Sequence, residues 1–377
     1  MIARLRRAAI APAAAAVIAL AVSSIALLIS GNSPVNAFVE MWKTIDSSES
    51  TVLIINRAVP YYVAGVAVAI GFRMNLFNIG ANGQYILAAL LAGAAGAAVS
   101  LPAPLHVAFV LVIAMAVGAA WAAIAGILKV ARGVNEVIST IMLNYIATGL
   151  TAFLVGEYLR NEAVELVAET PKLPASAQLP SLNPLLELVG IDVGGKAQLF
   201  GFLPFAIALG IAYHLVLNRS RFGYELRVSG ANPEAARTAG INPRRMVLKA
   251  IILSGAVAGL VGMSSLLADP QFHKYGDQFP KTFGFTGISL ALLGRNHPAG
   301  VAVAAVVWAT IERATQRLSP LGIPQEIGVI MQGSFLLAAV VVFEVVQRRS
   351  AAVTARAVAL QAESRTAAAP SDQEATP

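Results

Sequence analysis

Apolar runs broken by short polar segments recur along almost the whole chain. A helix needs about 20 apolar residues to cross a bilayer core. Residues 8–29, 137–156, 197–218, 250–268 and 327–343 approach or meet that length without an Asp, Glu, Lys or Arg. Residues 75–128 are also uncharged and long enough for two spans, with Pro102 and Pro104 at the turn between them. Weaker candidates are 51–72, which Arg57 and Pro60 interrupt, then the short 282–294, then 296–311. The pattern predicts an all-α, polytopic membrane protein with about ten transmembrane helices. Arg4, Arg6 and Arg7 precede the first run as they would in a signal peptide. That run exceeds the roughly 7–15 residues of a signal's apolar core, so it is read as an uncleaved first helix.

Composition agrees with this reading. The chain is 57% hydrophobic and 12% charged, with a mean hydropathy of +0.71. A soluble domain carries about 25% charged residues. The charges here are too few to cover a water-facing surface, and lipid removes the need. Cysteine is absent, which excludes disulfides and thiolate metal sites. His106, His214, His273 and His297 are scattered, none at metal-ligand spacing from another. No catalytic residue, metal or cofactor is expected.

The net charge of +7 is placed at the ends of the apolar runs, which reads as topology control rather than nucleic-acid binding. Basic residues gather at Arg4–Arg7, at Lys129 and Arg132, at Arg348 and Arg349, and above all in the loop 218–249. All of these fall on one side of a ten-span arrangement. The other side holds the acidic loop 157–197, with Glu162, Glu165, Glu169, Glu187 and Asp192. The positive-inside rule then puts both termini in the cytoplasm. Residues 1–349 read as one transmembrane domain, with 218–249 cytoplasmic and 157–197 extracytoplasmic. The tail 350–377 is rich in Ala, Ser, Thr, Pro, Gln and Glu and is expected to be disordered. A short surface helix over 351–363 is the alternative there. Gly93, Gly96, Gly255, Gly259 and Gly262 are read as close-packing positions between helices.

Little of this can do covalent chemistry. No nucleotide-binding loop of the form G-x-x-x-x-G-K-[ST] occurs. If transport is ATP-driven, another chain supplies the ATPase. Only Arg57, Glu312 and Arg313 are charged within spans. Proton-coupled carriers keep buried ionisable residues for their relays, so this scarcity weighs against ion-coupled secondary transport. A membrane enzyme lacks any supporting cluster.

The loop 218–249 is the most informative segment. Asn232 suits an N-cap and Pro233 the first helical position. Glu234 complements the helix dipole, and Gly240 provides a stop. A two-turn helix over 233–239, outside the bilayer, is predicted. The amides Asn75, Asn78, Asn82 and Gln84 crowd the start of an otherwise apolar run, punctuated by Gly71, Gly80 and Gly83. Backbone can leave the helix at membrane depth only where it is buried or lines a cavity. The segment is therefore read as pathway lining or a broken helix near the route. Asn144 sits mid-span beside Ser139, Thr140 and Tyr145. For each amide the plainer alternative is an interhelical hydrogen bond worth about 0.6 kcal/mol. Asn135 and Glu136 read as a cap and a first-turn acid. Arg295 and His297 read as cytoplasmic surface.

The string GANPEAARTAGINPRR, starting at Gly230, resembles the coupling loop of binding-protein-dependent ABC permeases of the ribose, branched-chain amino acid and nucleoside type. MNLFNIGANGQYILAALLAG (74–93), GVNEVISTIMLNYIA (133–147) and GFTGISLALLGRNHPAG (284–300) resemble three further segments of that family. The run Met142 to Ala147 is most similar to the nucleoside-importing branch. The resemblance implies a nucleoside importer of the cell membrane, with a sugar or branched-chain amino acid as the alternative cargo. It implies a pore of two permease subunits, here two different chains, gripped by cytoplasmic ATPase subunits. An extracytoplasmic binding protein or lipoprotein would deliver the solute. Ala231, Asn232, Pro233, Glu234, Ala235, Ala236, Arg237 and Gly240 would form the coupling helix. Asn75, Asn78, Asn82, Gln84 and Asn144, with Phe285 and Thr286, would line the route, since neutral amides and hydroxyls suit a nucleoside's hydroxyls and base edges.

Overall fold

The computed structural model describes residues 2–45, 47–161, 167–191, 193, 197–324, 326–342 and 345. The tail 350–377, and Glu162, Glu165, Asp192 and Lys196 of the acidic loop, lie outside the described residues. Among the described residues the protein is helical. The helices are α1 (Ile2–Ile29), α2 (Pro34–Ile45), α3 (Ser48–Phe72), α4 (Ala81–Ala97), α5 (Ala103–Arg132), α6 (Glu136–Glu157), α7 (Asn183–Leu188) and α8 (Leu203–Arg219). They continue as α9 (Arg221–Ala231), α10 (Pro233–Thr238), α11 (Pro243–Gly259), α12 (Met263–Ala268), α13 (Phe283–Leu293) and α14 (Pro298–Gln316). The apolar helix Glu326–Val342 is α15. The described β-pairing is a single antiparallel bridge between Glu169 and Gly276.

The chain divides into two compact units, one of Met1–Ala37 with Gly322–Pro377, the other Phe38–Leu321. In the first, Ala19 and Ala338 are buried under Phe335, Ala339 and Val342. The second holds α3 to α14 and everything discussed below.

Four described helical segments are long and apolar enough to cross a membrane, namely α3, α5, α6 and Pro243–Ala268, the last being α11 continued by α12. A fifth is reached if Ala16–Ile29 and Pro34–Ile45 make one broken span. Leu203–Arg219, Phe283–Leu293 and Glu326–Val342 are shorter apolar helices. The run from residue 75 stays non-helical up to Gly80 before α4 begins, and 282–294 becomes the 11-residue α13. Amides and glycines explain the late start of α4, because both residue types favour non-helical backbone, whereas α13 fills nearly all of its short run.

Local chemistry fixes the helix ends. Ser47 accepts from the Ser50 amide at the start of α3, and Asn135 from the Val137 amide at the start of α6. Gly133, with φ of 70°, stops α5 in the left-handed region. Lys129 on α5 pairs with Glu136 on α6 at 2.5 Å across that turn. The α3 span is 78% buried within the unit, whereas α5 is 28% buried. So α3 is the central post and α5 and α6 stand at the periphery. The tightest helix pair is α5 with α11. A Cβ added at Gly255 would strike the Gly118 carbonyl and Ala122, and one at Gly259 would strike the Ala114 carbonyl. Small residues here let two backbones touch, which is how helices associate in lipid.

Candidate functional site

The predicted short helix exists as α10, Pro233–Thr238, with Ala239 as its C-cap. The Asn232 side chain accepts from the amides of Glu234 and Ala235, at 2.9 and 3.1 Å. Gly240 follows with φ of 76°, a conformation that a Cβ would strain. Glu234 and Arg237 face each other at 3.7 Å. Ala231, Asn232, Pro233, Glu234, Ala235, Arg237 and Gly240 are all exposed, and Ala236 alone is buried. The helix is therefore a capped, solvent-facing element held by one small anchor.

Its foundation is the non-helical segment after α3. Asn75 donates from Nδ2 to the carbonyl of Gly230 at 2.8 Å. A Cβ at Gly230 would lie 2.6 Å from Met74 Cα, so the end of α9 rests on backbone. Asn75 itself is left-handed, with φ of 53°. The structure thus places Asn75 at the foot of α9 and α10 rather than among the amides deeper in the bundle. Arg73 donates to the carbonyl of Asn296 at 2.9 Å, and the Tyr213 hydroxyl donates to the same oxygen at 2.6 Å. Arg295 and Asn296 are two consecutive left-handed residues, so the turn between α13 and α14 joins this cluster. His297 caps α14, its ring 6.1 Å from that of His214.

Deeper in, the predicted amides meet one another. Asn78 and Gln84 exchange a pair of side-chain hydrogen bonds, both 2.9 Å. Asn78 also donates to Ser254 Oγ on α11 at 2.8 Å, and Ser254 donates to the Ala67 carbonyl on α3 at 2.7 Å. Asn144 accepts from the Gly83 amide at 2.7 Å and donates to the Ile79 carbonyl at 2.9 Å, closing backbone groups that the broken helix leaves open. All four side chains are buried. Asn78, Gln84 and Asn144 are thus engaged by the fold itself, the interhelical alternative raised above. Asn82 differs, because its Oδ1 is buried without a hydrogen-bond partner. Against its backbone packs Gly284 of α13, where a Cβ would collide with Asn82 Cα. Phe285 and Thr286 follow on the less buried side of α13, Phe285 being half-exposed.

A third feature was not singled out from the sequence as a site. Two of the three in-span charges, Arg57 and Glu312, form a bidentate pair between α3 and α14. Arg57 Nη2 lies 2.6 Å from Oε1, and its Nε lies 3.1 Å from both carboxylate oxygens. The Tyr61 hydroxyl adds a 2.7 Å bond to Oε2. The guanidinium also sits over the Phe283 ring, 4.8 Å from its centroid. Opposite charges on separate apolar runs were the available signal. Beside the pair opens a cavity of about 330 Å³ that reaches Asp269, Gln271 and Phe272 in the loop after α12. That loop is fastened to the acidic loop through Lys274–Glu169 at 2.6 Å and Thr170–Tyr275 backbone bonding at 2.8 Å. Burial pushes the Asp269 carboxyl above its ordinary range and holds the His273 imidazole below its own. Among the described residues no cluster could hold a metal ion.

An apolar bundle with a self-bonded amide interior, a polar cavity at one end and an exposed short helix at the other is an architecture that suits a membrane transport subunit. The family comparison makes the class definite. Residues 50–340 match the family described as branched-chain amino acid transport system / permease component, and the chain belongs to it. It is 33% identical over 319 residues to the guanosine ABC transporter permease protein of Bacillus subtilis, covering 84% of this chain and 87% of that one. It is 33% identical over 299 residues to a glucose ABC transporter permease protein of Haloferax volcanii, covering 78% and 76%. A nucleoside ABC transporter permease protein of Lactococcus lactis is 26% identical over 362 residues, covering 91% and 94%. Each of these three organisms holds a second permease protein that is also similar to this chain. No solved structure matches the chain.

Proposed function

We propose that this chain is the membrane-spanning subunit of an ABC importer for nucleosides, working with an ATPase on separate chains. The observation that carries the reading is the exposed, Asn232-capped helix α10, set through Gly230 on the backbone of Met74 at the foot of α3. That placement suits an element that a cytoplasmic ATPase grips, with Ala231 to Arg237 and Gly240 as its contact surface. Nucleoside cargo is supported by similarity to the guanosine permease over most of both chains. The paired permeases of each related organism support a pore built from two different subunits, fed by an extracytoplasmic binding protein.

The permease domain then spans 1–349, with 350–377 a cytoplasmic tail. In this reading the chain crosses about ten times with both ends inside, the shorter helices being spans completed by neighbouring protein. Asn82, Phe285 and Thr286 are the residues on the solute route, with the bonded Asn78, Gln84 and Asn144 shaping its wall and Asn75 at its inner foot. Glucose is the second reading, because the glucose permease is equally similar at 33%. Labelled guanosine uptake in cells with and without this chain tests the assignment. Guanosine uptake that depends on the chain and on ATP supports it. Unchanged guanosine uptake with lost glucose uptake refutes the cargo. Transport by the purified chain alone in vesicles refutes the ATP-driven class.

A further inference from the structure

The polar cavity beside Arg57 lies far from the docking helix. Sixteen residues of helix separate Arg57 from Arg73 at the other end of α3, which is roughly 24 Å at 1.5 Å per residue. The cavity therefore belongs to the end where the loops around Glu169 and Lys274 meet, opposite α10.

Its walls define an occupant. At about 330 Å³ the cavity falls within the range of small-molecule sites, about 300–1,000 Å³. Two cations, Arg57 and Arg313, and two carboxylates, Glu312 and Asp269, line it. A solute with net charge would leave one charge uncompensated in a low-dielectric setting, so a neutral solute fits. The Glu312 carboxylate is already committed to Arg57 and Tyr61. Arg313 is only partly committed: its Nη1 reaches Gln316 Oε1 at 3.3 Å, while its Nε is buried without a hydrogen-bond partner. Such a group awaits an acceptor. Gln271 supplies an amide, Gln316 the amide whose oxygen Arg313 holds, and Phe272 a ring. Ring, amides and a guanidinium in one neutral chamber suit a solute with a carbonyl-bearing heterocycle and hydroxyls. A neighbouring groove along α3, α8 and α14 is larger at about 500 Å³ but almost wholly apolar, and offers nothing comparable.

We propose that this cavity is a solute-holding site of the permease itself. A neutral nucleoside would place its base carbonyl toward Arg313 and its ring against Phe272, and the Arg57–Glu312 pair would form the floor. The proposal rests on the nucleoside reading above. The test uses cells carrying the complete importer, with labelled guanosine at saturating concentration and permease abundance measured in parallel. Arg313→Gln and Phe272→Ala should each reach the membrane at wild-type abundance and lower uptake about tenfold or more, the effect of losing a bond to a charged group or a ring contact. Phe272→Leu, which keeps the bulk without the ring, covers the case in which the alanine variant fails to accumulate. The exchange Arg57→Glu with Glu312→Arg should restore abundance but not uptake. Uptake within about twofold of wild type in Arg313→Gln and both Phe272 variants overturns the site. Full uptake in the exchange variant overturns the pair's part in it, leaving a structural tie. If the wild type carries glucose and not guanosine, the nucleoside reading falls. The same variants read on glucose uptake then decide the site separately.

Discussion

A methyl group on Gly230 should uncouple the docking helix from the bundle. In Gly230→Ala the new Cβ would stand 2.6 Å from Met74 Cα, 2.9 Å from the Arg73 carbonyl oxygen and 3.0 Å from the Met74 carbonyl carbon. All three are backbone atoms, so no side chain can swing away. Ordinary carbon contacts begin near 3.4 Å, so α9 must move off by about 0.8 Å. The Asn75 bond to Gly230, 2.8 Å in the structure, would then stretch to about 3.6 Å and cease to be a hydrogen bond. Its loss costs about 0.5–1.5 kcal/mol, and the overpacking about 1–3 kcal/mol. A coupling free energy of about 1–3 kcal/mol corresponds to roughly 5–150-fold. The assay is the complete importer in proteoliposomes, reading nucleoside taken up per ATP hydrolysed. That ratio should fall about tenfold while the subunit stays assembled with its ATPase. Asn75→Gly separates the contributions, because it keeps the left-handed backbone available and removes only the side-chain bond. It should give the smaller effect. An unchanged ratio in Gly230→Ala, at normal abundance, would refute the mechanical link between α9 and the segment after α3.

Three further outcomes follow from the geometry. Asn232→Ala removes the cap that two amides share and should cost α10 about 1 kcal/mol, read as faster amide hydrogen exchange across 233–238. Gly259→Val drives a side chain into the Ala114 carbonyl and should deplete the subunit from the membrane, whereas Gly149→Val, where an added Cβ meets nothing within 4 Å, should leave abundance intact. Asn144→Leu strands the Gly83 amide and the Ile79 carbonyl at about 1–3 kcal/mol for each buried group. Its first effect should be a lower melting temperature in detergent, ahead of any change in cargo preference.

The helical class and the short helix α10 were legible in the sequence because local rules govern them. Apolar length sets the class, and Asn232, Pro233 and Gly240 carry their positional meaning without help from distant residues. The number of full crossings was less legible. Hydropathy counts apolar residues, but an apolar run folds short when amides and glycines open it. Residues 73–80 are the case. The site was legible in composition and not in partnership. Asn78, Gln84 and Asn144 stood out as amides in an apolar run, yet only the fold pairs Asn78 with Gln84 and sets Asn144 under Gly83. Asn75 belongs to the same cluster in sequence but to the docking loop in space. Arg57 and Glu312 lie 255 residues apart, so no local pattern could join them, though charges within apolar spans require partners.

The contacts also constrain how the two ends of the second unit can communicate. No described side-chain bond runs from the cavity to the docking loop, so a relay of side chains is not the route. What connects them is α3, which holds Arg57 near one end and is followed directly by Arg73 and Met74 at the other. Near the cavity Pro60 removes a backbone donor four residues beyond Asn56. The Asn56 side chain is fixed by bonds with Gln198 and Phe200, at 2.7 and 2.9 Å. The half of α3 below Pro60 is buried on nearly every side. A displacement imposed on Met74 by α9 therefore moves a packed rod rather than a loop, and a rod transmits translation with little loss. Arg57 rides on that rod, whereas Glu312 belongs to α14. Sliding α3 against α14 by even 1 Å would lengthen bonds of 2.6 and 3.1 Å and open the floor of the cavity. In the proposed reading, the ion pair is the place where motion at α10 becomes a change in the chamber that faces the solute.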